Sequence, residues 1–228
     1  MRLKINFSKN TEKVPHNLNV VNSYIHTCLG RNNIYHDNYS NYSISGLLGG
    51  LIIDGGRNIE YDNGSYIIVT SSDSNFLNKI ILGILSNSEL GYGMKFIRFD
   101  HISEEFRDGW NNFKTTNNGF ILKRKDGGYY TLNDSDTIPA LKAQIINKFY
   151  KINSNLNFKD LDIIITDNNS HKVKATYSKN VKNISNVCQI NIFTNKLVAE
   201  TIYNYGIGQS CGSGFGTVYT TQFNDFYK

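Results

Sequence analysis

Three sets of residues in this 228-residue chain have types and spacings that could do chemistry. The first is Asn204-Tyr-Gly-Ile-Gly-Gln-Ser-Cys-Gly-Ser-Gly-Phe-Gly-Thr-Val-Tyr219, in which Gly206, Gly208, Gly212, Gly214 and Gly216 recur within a short span. Without a Cβ, these positions can take positive φ and turn successive N–H groups toward one anion, so a phosphate-bearing polymer is the first ligand to consider. Gln209, Ser210 and Ser213 add donors, but the loop holds no Lys or Arg. The second set is histidine, at positions 16, 26, 36, 101 and 171. An imidazole titrates near pH 6.5, so at neutral pH one ring can accept a proton while another donates one. The third set is Lys172, Lys174, Lys179 and Lys182, gathered on and after an expected hairpin. A solvated face is the plain reading of that cluster, and the wall of a polyanion groove is the functional one.

Composition excludes several classes. No Gly-Lys-Ser/Thr follows the glycines, so a Walker-type phosphate loop fails. The loop leaves a helical stretch and enters a strand-like one, the reverse of a dinucleotide-binding fingerprint. Cys28, Cys188 and Cys211 show neither CxxC nor zinc-ligand spacing, and no metal or other cofactor is expected. The 24 Lys+Arg against 19 Asp+Glu give a net charge of +5, a basic excess that suits a nucleic-acid partner. Met1-Arg-Leu-Lys-Ile-Asn-Phe7 alternates like a strand rather than a signal peptide. No run approaches the roughly 18 apolar residues of a membrane span, so a cytoplasmic protein with no membrane partner is expected. Aromatic ribonucleoprotein motifs, the mark of an ordinary RNA-recognition module, are not found on strand-like segments.

The elements that must position these groups read as two repeats of one pattern. Arg2–Phe7 alternates with period two; Leu18, Val21, Ile25, Cys28 and Leu29 recur at helical spacing, with Asn17 as a start cap and Gly30 as a stop. An apolar segment from Tyr42 to Ile53 follows, then a strand after Tyr61-Asp-Asn-Gly, a helix over Phe76–Leu85 and a strand over Lys95–His101. The second half is expected to hold a hairpin of Phe120–Lys125 with Tyr129–Leu132 and a helix over Ile138–Tyr150. Strands at Asp162–Thr166, His171–Tyr177 and Val187–Phe193 come next, then a helix over Lys196–Tyr205 and a strand over Phe215–Thr221. This is an α+β chain of tandem ferredoxin-like β-α-β-β-α-β domains. The polar stretch Asn111–Asn118 is read as the connection, giving domains 1–115, with the candidate histidines, and 116–228, with the glycine-rich loop.

Three segments together carry a family resemblance: Gly206-Ile-Gly-Gln-Ser-Cys-Gly-Ser-Gly-Phe-Gly216 after the last helix, Leu29-Gly-Arg-Asn-Asn-Ile-Tyr-His36, and Ser43-Ile-Ser-Gly-Leu-Leu-Gly-Gly50 opening the next strand. On these the chain resembles the CRISPR-associated endoribonucleases that process repeat-containing precursor RNA, the sixth numbered Cas family of the repeat-associated mysterious protein superfamily. The resemblance implies the tandem ferredoxin-like fold and metal-free cleavage of repeat RNA to guide RNA, leaving a 2′,3′-cyclic phosphate. It implies His36 as catalytic, and places His26 where the family has a histidine or tyrosine. Precursor and mature repeat RNA are the implied ligands, with CRISPR effector-complex subunits and a second copy of the chain as further partners.

Cleavage by an internal 2′-OH needs a base for that hydroxyl, an acid for the departing 5′-oxygen, and charge or donors at the phosphate. Residue types leave the order of the two histidines open; His36 as base with His26 as acid is the working assignment. The family's lysine after the second position has no counterpart, since Asp37–Gly50 contains no Lys or Arg. Arg31, backbone amides, Ser45 or a lysine of the second domain are the candidates to replace it. The RNA-binding set is Gly206, Gly208, Gln209, Ser210, Gly212, Ser213, Gly214 and Gly216 with Lys172, Lys174 and Lys179. The competing reading is a non-catalytic subunit that holds repeat RNA in an effector complex, which needs the loop and the basic hairpin but neither histidine.

Overall fold

The structure, a computed structural model, describes residues 1–16, 20–30, 33–35, 41–166, 172–178 and 181–220, with the backbone alone at 176–178 and 181. In chain order the strands of the first half are β1 (Arg2–Phe7), β2 (Val14–Pro15), β3 (Tyr42–Ile44), β4 (Leu51–Ile53), β5 (Asn58–Glu60), β6 (Ser65–Ser71), β7 (Glu89–Gly91) and β8 (Met94–Ile102). Helix α1 spans Val20–Leu29 and α2 spans Ser74–Ser86. The second half has β9 (Gly109–Thr115), α3 (Thr137–Ile152), β10 (Asp162–Thr166), β11 (Lys172–Ser178), β12 (Val181–Val187), β13 (Gln189–Thr194), α4 (Lys196–Tyr205) and β14 (Val218–Thr220).

Two antiparallel sheets, ordered β3-β6-β1-β8-β7 and β10-β13-β9-β14, carry the fold. In each, the first strand of the repeat lies between the third and fourth, which is the ferredoxin-like order. Period-two alternation sends Leu3, Ile5 and Phe7 of β1 into a core with Val21, Ile25 and Cys28 of α1 and Phe76, Ile80 and Ile84 of α2. Asp73 caps α2, its carboxylate accepting from the Asn75 and Phe76 amides at 2.9 and 3.2 Å. The second core gathers Phe113, Ile163, Ile190 and Ile192 with Leu141, Ile145 and Phe149 of α3 and Val198 and Ile202 of α4. The chain passes from one core to the other between Phe99 and Phe106.

Three expectations are corrected. Asn111–Asn118 is not a plain connection, because residues up to Thr115 belong to β9, which pairs with β13 and β14. Its signal is weak because Asn111 occupies a buried inward position, where its amide donates to Arg107 O and Gly109 O at 2.9 and 3.0 Å. The expected hairpin of Phe120–Lys125 with Tyr129–Leu132 forms only a short ladder, with Lys123 bridging Tyr129, Tyr130 N donating to Leu122 O at 2.9 Å and Arg124 N to Gly128 O at 2.8 Å, while Phe120 and Ile121 bridge Asn186 and Gln209 instead. The basic strand pairs not with β10 but with β12, in register Lys172↔Val187 to Ser178↔Val181, a two-stranded ribbon apart from the main sheet.

The halves meet along a polar seam. Ser43, Thr70, Thr116 and Thr217 are buried there, and the Arg2 guanidinium lies 4.0 Å from the Tyr203 ring centre while donating to Val218 O. Ser72 and Tyr205 share a hydrogen bond across the same seam.

Candidate active site and nucleic-acid interface

Helix α1 holds His26 half-buried on its flank, with Val21, Tyr24, Ile25, Cys28 and Leu29 buried beside it. The helix is set tightly on α2: a Cβ on Gly83 would lie 2.1 Å from Cys28 O. Tyr24 ties the far end of α2, donating to Asn87 O at 2.8 Å. Gly30, at φ +85°, ends α1 as its sequence position predicts.

His36, Arg31 and Lys179 lie outside the described residues, as do Asn17 and His171. The chain is anchored on both sides of His36. Tyr35 packs edge-on against Phe76 at 5.0 Å, donates its hydroxyl to Asp73 at 3.3 Å, and receives the Tyr42 hydroxyl on its carbonyl at 3.1 Å. Burial and the Asp73 carboxylate raise the Tyr35 pKa, so this phenol stays protonated at neutral pH. Ser45 has no donor to offer a phosphate: it is buried, accepts from the Ile68 amide at 2.8 Å and donates to Gly46 O at 2.7 Å.

The glycine-rich loop lies beside this region, its short 3-10 turn Cys211–Ser213 approaching both β3 and α1. Gly206, Gly208, Gly214 and Gly216 take φ of +68°, +73°, +93° and +72°, while Gly212 does not need positive φ. Most of the loop is packed, with Gln209 exposed and Ser210 and Ser213 half-buried. Its amides are largely engaged internally: Gly206 to Ile202 O at 2.9 Å, Gly208 to Gln144 Oε1 at 3.0 Å, Gln209 to Ile121 O at 2.8 Å and Gly216 to Gly119 O at 2.7 Å. The image of successive amides aimed at one phosphate therefore does not hold at Gly206, Gly208 or Gly216. These glycines permit close backbone packing instead, since a Cβ on Gly216 would lie 2.0 Å from Ile207 O. The solvent-facing residues of the loop are Gln209, Ser210 and Ser213, with Cys211 and Gly212 buried between them.

Three supports of this loop left no mark in the sequence. Lys148 of α3, buried, donates to Tyr205 O at 2.6 Å, to Gly206 O at 3.2 Å and to Cys211 Sγ at 3.1 Å. It thus places a cation on the terminal carbonyls of α4, where the helix dipole is negative. Gln144 grips Gly208 at both ends, its Nε2 donating to Gly208 O at 2.6 Å. Asn118 donates to Gly214 O at 3.1 Å and lies so close to Gly46 that a Cβ there would meet its Nδ2 at 2.3 Å. Their partners lie more than 50 residues away along the chain, beyond the reach of any local pattern.

Lys172 is exposed on β11, and Lys174 is half-buried, its ammonium 3.3 Å from Asn117 O and 3.4 Å from Asn118 Oδ1. Burial, then repulsion by Lys172, pulls the Lys174 pKa down to about 8. The cysteines are buried and free; burial pushes the Cys28 thiol up to about 11 and the Cys188 thiol up to about 12, so neither is a ready thiolate. Among the described residues no three His, Cys, Asp or Glu side chains gather to hold a metal, and no helix is long and apolar enough to cross a membrane.

Residues 113–220 match the family described as CRISPR associated protein Cas6, C-terminal. Among solved structures, a Cas6-related protein from Pyrococcus furiosus is similar at a TM-score of 0.83 and 17% identity, over 97% of this chain and 98% of that one. A RAMP protein described as binding different RNA substrates is similar at 0.82 and 16%, over 96% and 99%. A CRISPR associated protein Cas6 is similar at 0.77 and 18%, over 97% and 99%. Among curated proteins, no sequence matches this chain.

Proposed function

We propose that this chain, whose residues 113–220 match the Cas6 C-terminal family and whose fold is similar to that of Cas6 and RAMP proteins, is a metal-independent endoribonuclease that cuts CRISPR repeat RNA to guide RNA. The observation that carries this reading is the meeting of α1, which bears His26, with the glycine-rich loop of the other half, next to a chain anchored on both sides of His36. In the reaction one histidine takes the proton of the 2′-OH, whose oxygen attacks the adjacent phosphorus. The bond from phosphorus to the 5′-oxygen breaks as the second histidine protonates that oxygen, leaving a 2′,3′-cyclic phosphate and a 5′-hydroxyl. His36 is the base and His26 the acid in this scheme.

Gln209, Ser210 and Ser213 position the RNA backbone from the exposed edge of the loop, with Lys172, Lys174 and Lys179 supplying charge from the basic ribbon. The buried glycines 206, 208, 212, 214 and 216 hold that edge in place. Effector-complex subunits and a second copy of the chain are further partners in this reading, and the cytoplasm is its setting. The activity rests on two structural units, meeting between Phe99 and Phe106 rather than at residues 115 and 116, because β9 pairs within the second sheet.

His36→Ala should lower single-turnover cleavage of repeat RNA by about 10²–10⁴ while leaving affinity nearly unchanged, because it removes a proton transfer and few phosphate contacts. His26→Ala should behave alike. Equal loss of binding in either variant would assign that histidine to RNA contact instead, and full activity in both would remove the catalytic pair.

A further inference from the structure

As the 2′-oxygen adds to phosphorus, negative charge builds on the non-bridging phosphate oxygens, and a cation or donors must meet it there. Most of the expected sources do not. Asp37–Gly50 holds no Lys or Arg, and the exposed loop residues Gln209, Ser210 and Ser213 carry no charge. The Ser45 hydroxyl is engaged by backbone, and Lys148 is buried against Tyr205 O, Gly206 O and Cys211 Sγ.

Helix α2 offers a cation from another direction. α1 and α2 run antiparallel: Tyr24 bonds to Asn87 at the far end of α2, while Cys28, one turn later in α1, abuts Gly83, one turn earlier in α2. One turn earlier still, Lys79 shares the face of Gly83. It therefore lies beyond the C-terminal end of α1, where the chain runs on to Tyr35, and its ammonium stands 5.6 Å from the Tyr35 ring centre. The same helix fixes that ring, through Phe76 edge-on at 5.0 Å and through the Asp73 cap, which accepts from the Tyr35 hydroxyl at 3.3 Å. Lys79 is exposed and makes no ion pair among the described residues. The carboxylate of Asp73 is occupied by Tyr35 and by the Asn75 and Phe76 amides. A cation is thus held beside the residue that directly precedes His36, with its charge free for an incoming anion.

We propose that Lys79 is a further catalytic residue, whose ammonium contacts the non-bridging oxygens of the scissile phosphate and stabilises the charge that develops on them. The inference rests on the ribonuclease reading and deepens it by naming the cation at the phosphate. That cation comes from α2, not from the segment that follows His36. No bond to Lys79 forms or breaks in the reaction, so its role is electrostatic and a guanidinium can fill it. Because the contact strengthens as charge develops, it acts on the rate more than on RNA affinity.

The test is single-turnover cleavage of repeat RNA by the full chain at saturating protein, with affinity measured on RNA made uncleavable by 2′-deoxy substitution at each candidate scissile nucleotide. Lys79→Met should slow cleavage about 10²–10³-fold while affinity stays within about threefold. Lys79→Arg should recover most of the rate, and both variants should melt like the parent, because the side chain is exposed. Parental cleavage by Lys79→Met would overturn the assignment. So would slow cleavage that arginine does not rescue, above all with a lowered melting midpoint, which would make Lys79 a structural cation at the end of α1. A loss of affinity as large as the loss of rate would overturn it as well, leaving Lys79 a binding contact. If the parent leaves repeat RNA uncut, the ribonuclease reading itself fails, a result distinct from the failure of Lys79 alone.

Discussion

Lys148 shows how one buried cation organises a loop that has no charge of its own. Its three contacts, to Tyr205 O, Gly206 O and Cys211 Sγ, join α3 to the end of α4 and to the 3-10 turn. Lys148→Met would leave two buried carbonyls without that donor, at a cost of about 2–3 kcal/mol. For a chain of this size the melting midpoint should fall by several degrees, and calorimetry showing an unchanged midpoint would remove Lys148 from the loop's support. At this scale the sequence disclosed residue types better than residue roles. The glycine run announced a loop needing positive φ, and four of its five glycines take it. That the loop turns most amides inward was not legible, because Gln144, Ile121 and Gly119, which receive them, are distant in sequence. Ser45 failed as a phosphate contact for a similar reason: a hydroxyl in a buried strand edge bonds to neighbouring backbone.

Among elements, α1 matters most to the proposed chemistry, and its seat on α2 is set at Gly83. A methyl group there would meet Cys28 O at 2.1 Å, a backbone atom that cannot swing aside. Gly83→Ala should therefore displace α1, lowering both the melting midpoint and the cleavage rate although Gly83 touches no RNA. A variant with parental melting and parental cleavage would mean that the crossing relaxes freely. Helices were the most legible elements, since apolar spacing marks α2, α3 and α4, and the side chains of Asp73 and Asn195 cap α2 and α4. β9 was missed because Asn111 and Asn112 interrupt its alternation and Trp110 points outward, where it stacks edge-on with Phe193 of β13 at 5.3 Å. The basic ribbon was half legible: β11 was expected, but its partner β12 was not, since Lys182, Asn183, Ser185 and Asn186 make Val181–Val187 polar for a strand.

The whole molecule is two ferredoxin-like sheets, each with its own core, joined along a seam of hydroxyls and one buried arginine. The repeat was visible in the order of elements because hydrophobic periodicity records each core separately. The seam was not visible, because Ser43, Thr70, Thr116 and Thr217 look like surface residues in sequence. The loop beside α1 and its link to Asn118 sit along that seam. The proposed reaction at this junction is cleavage of repeat RNA by internal transesterification without a metal. Its most direct test is incubation of the purified chain with its repeat RNA in excess chelator, beside RNAs carrying one 2′-deoxy at each candidate scissile nucleotide. Cleavage at a single position, abolished by the deoxy substitution there and leaving a 2′,3′-cyclic phosphate, is the predicted result. Tight binding with no cleavage would contradict it and make the protein a holder of repeat RNA.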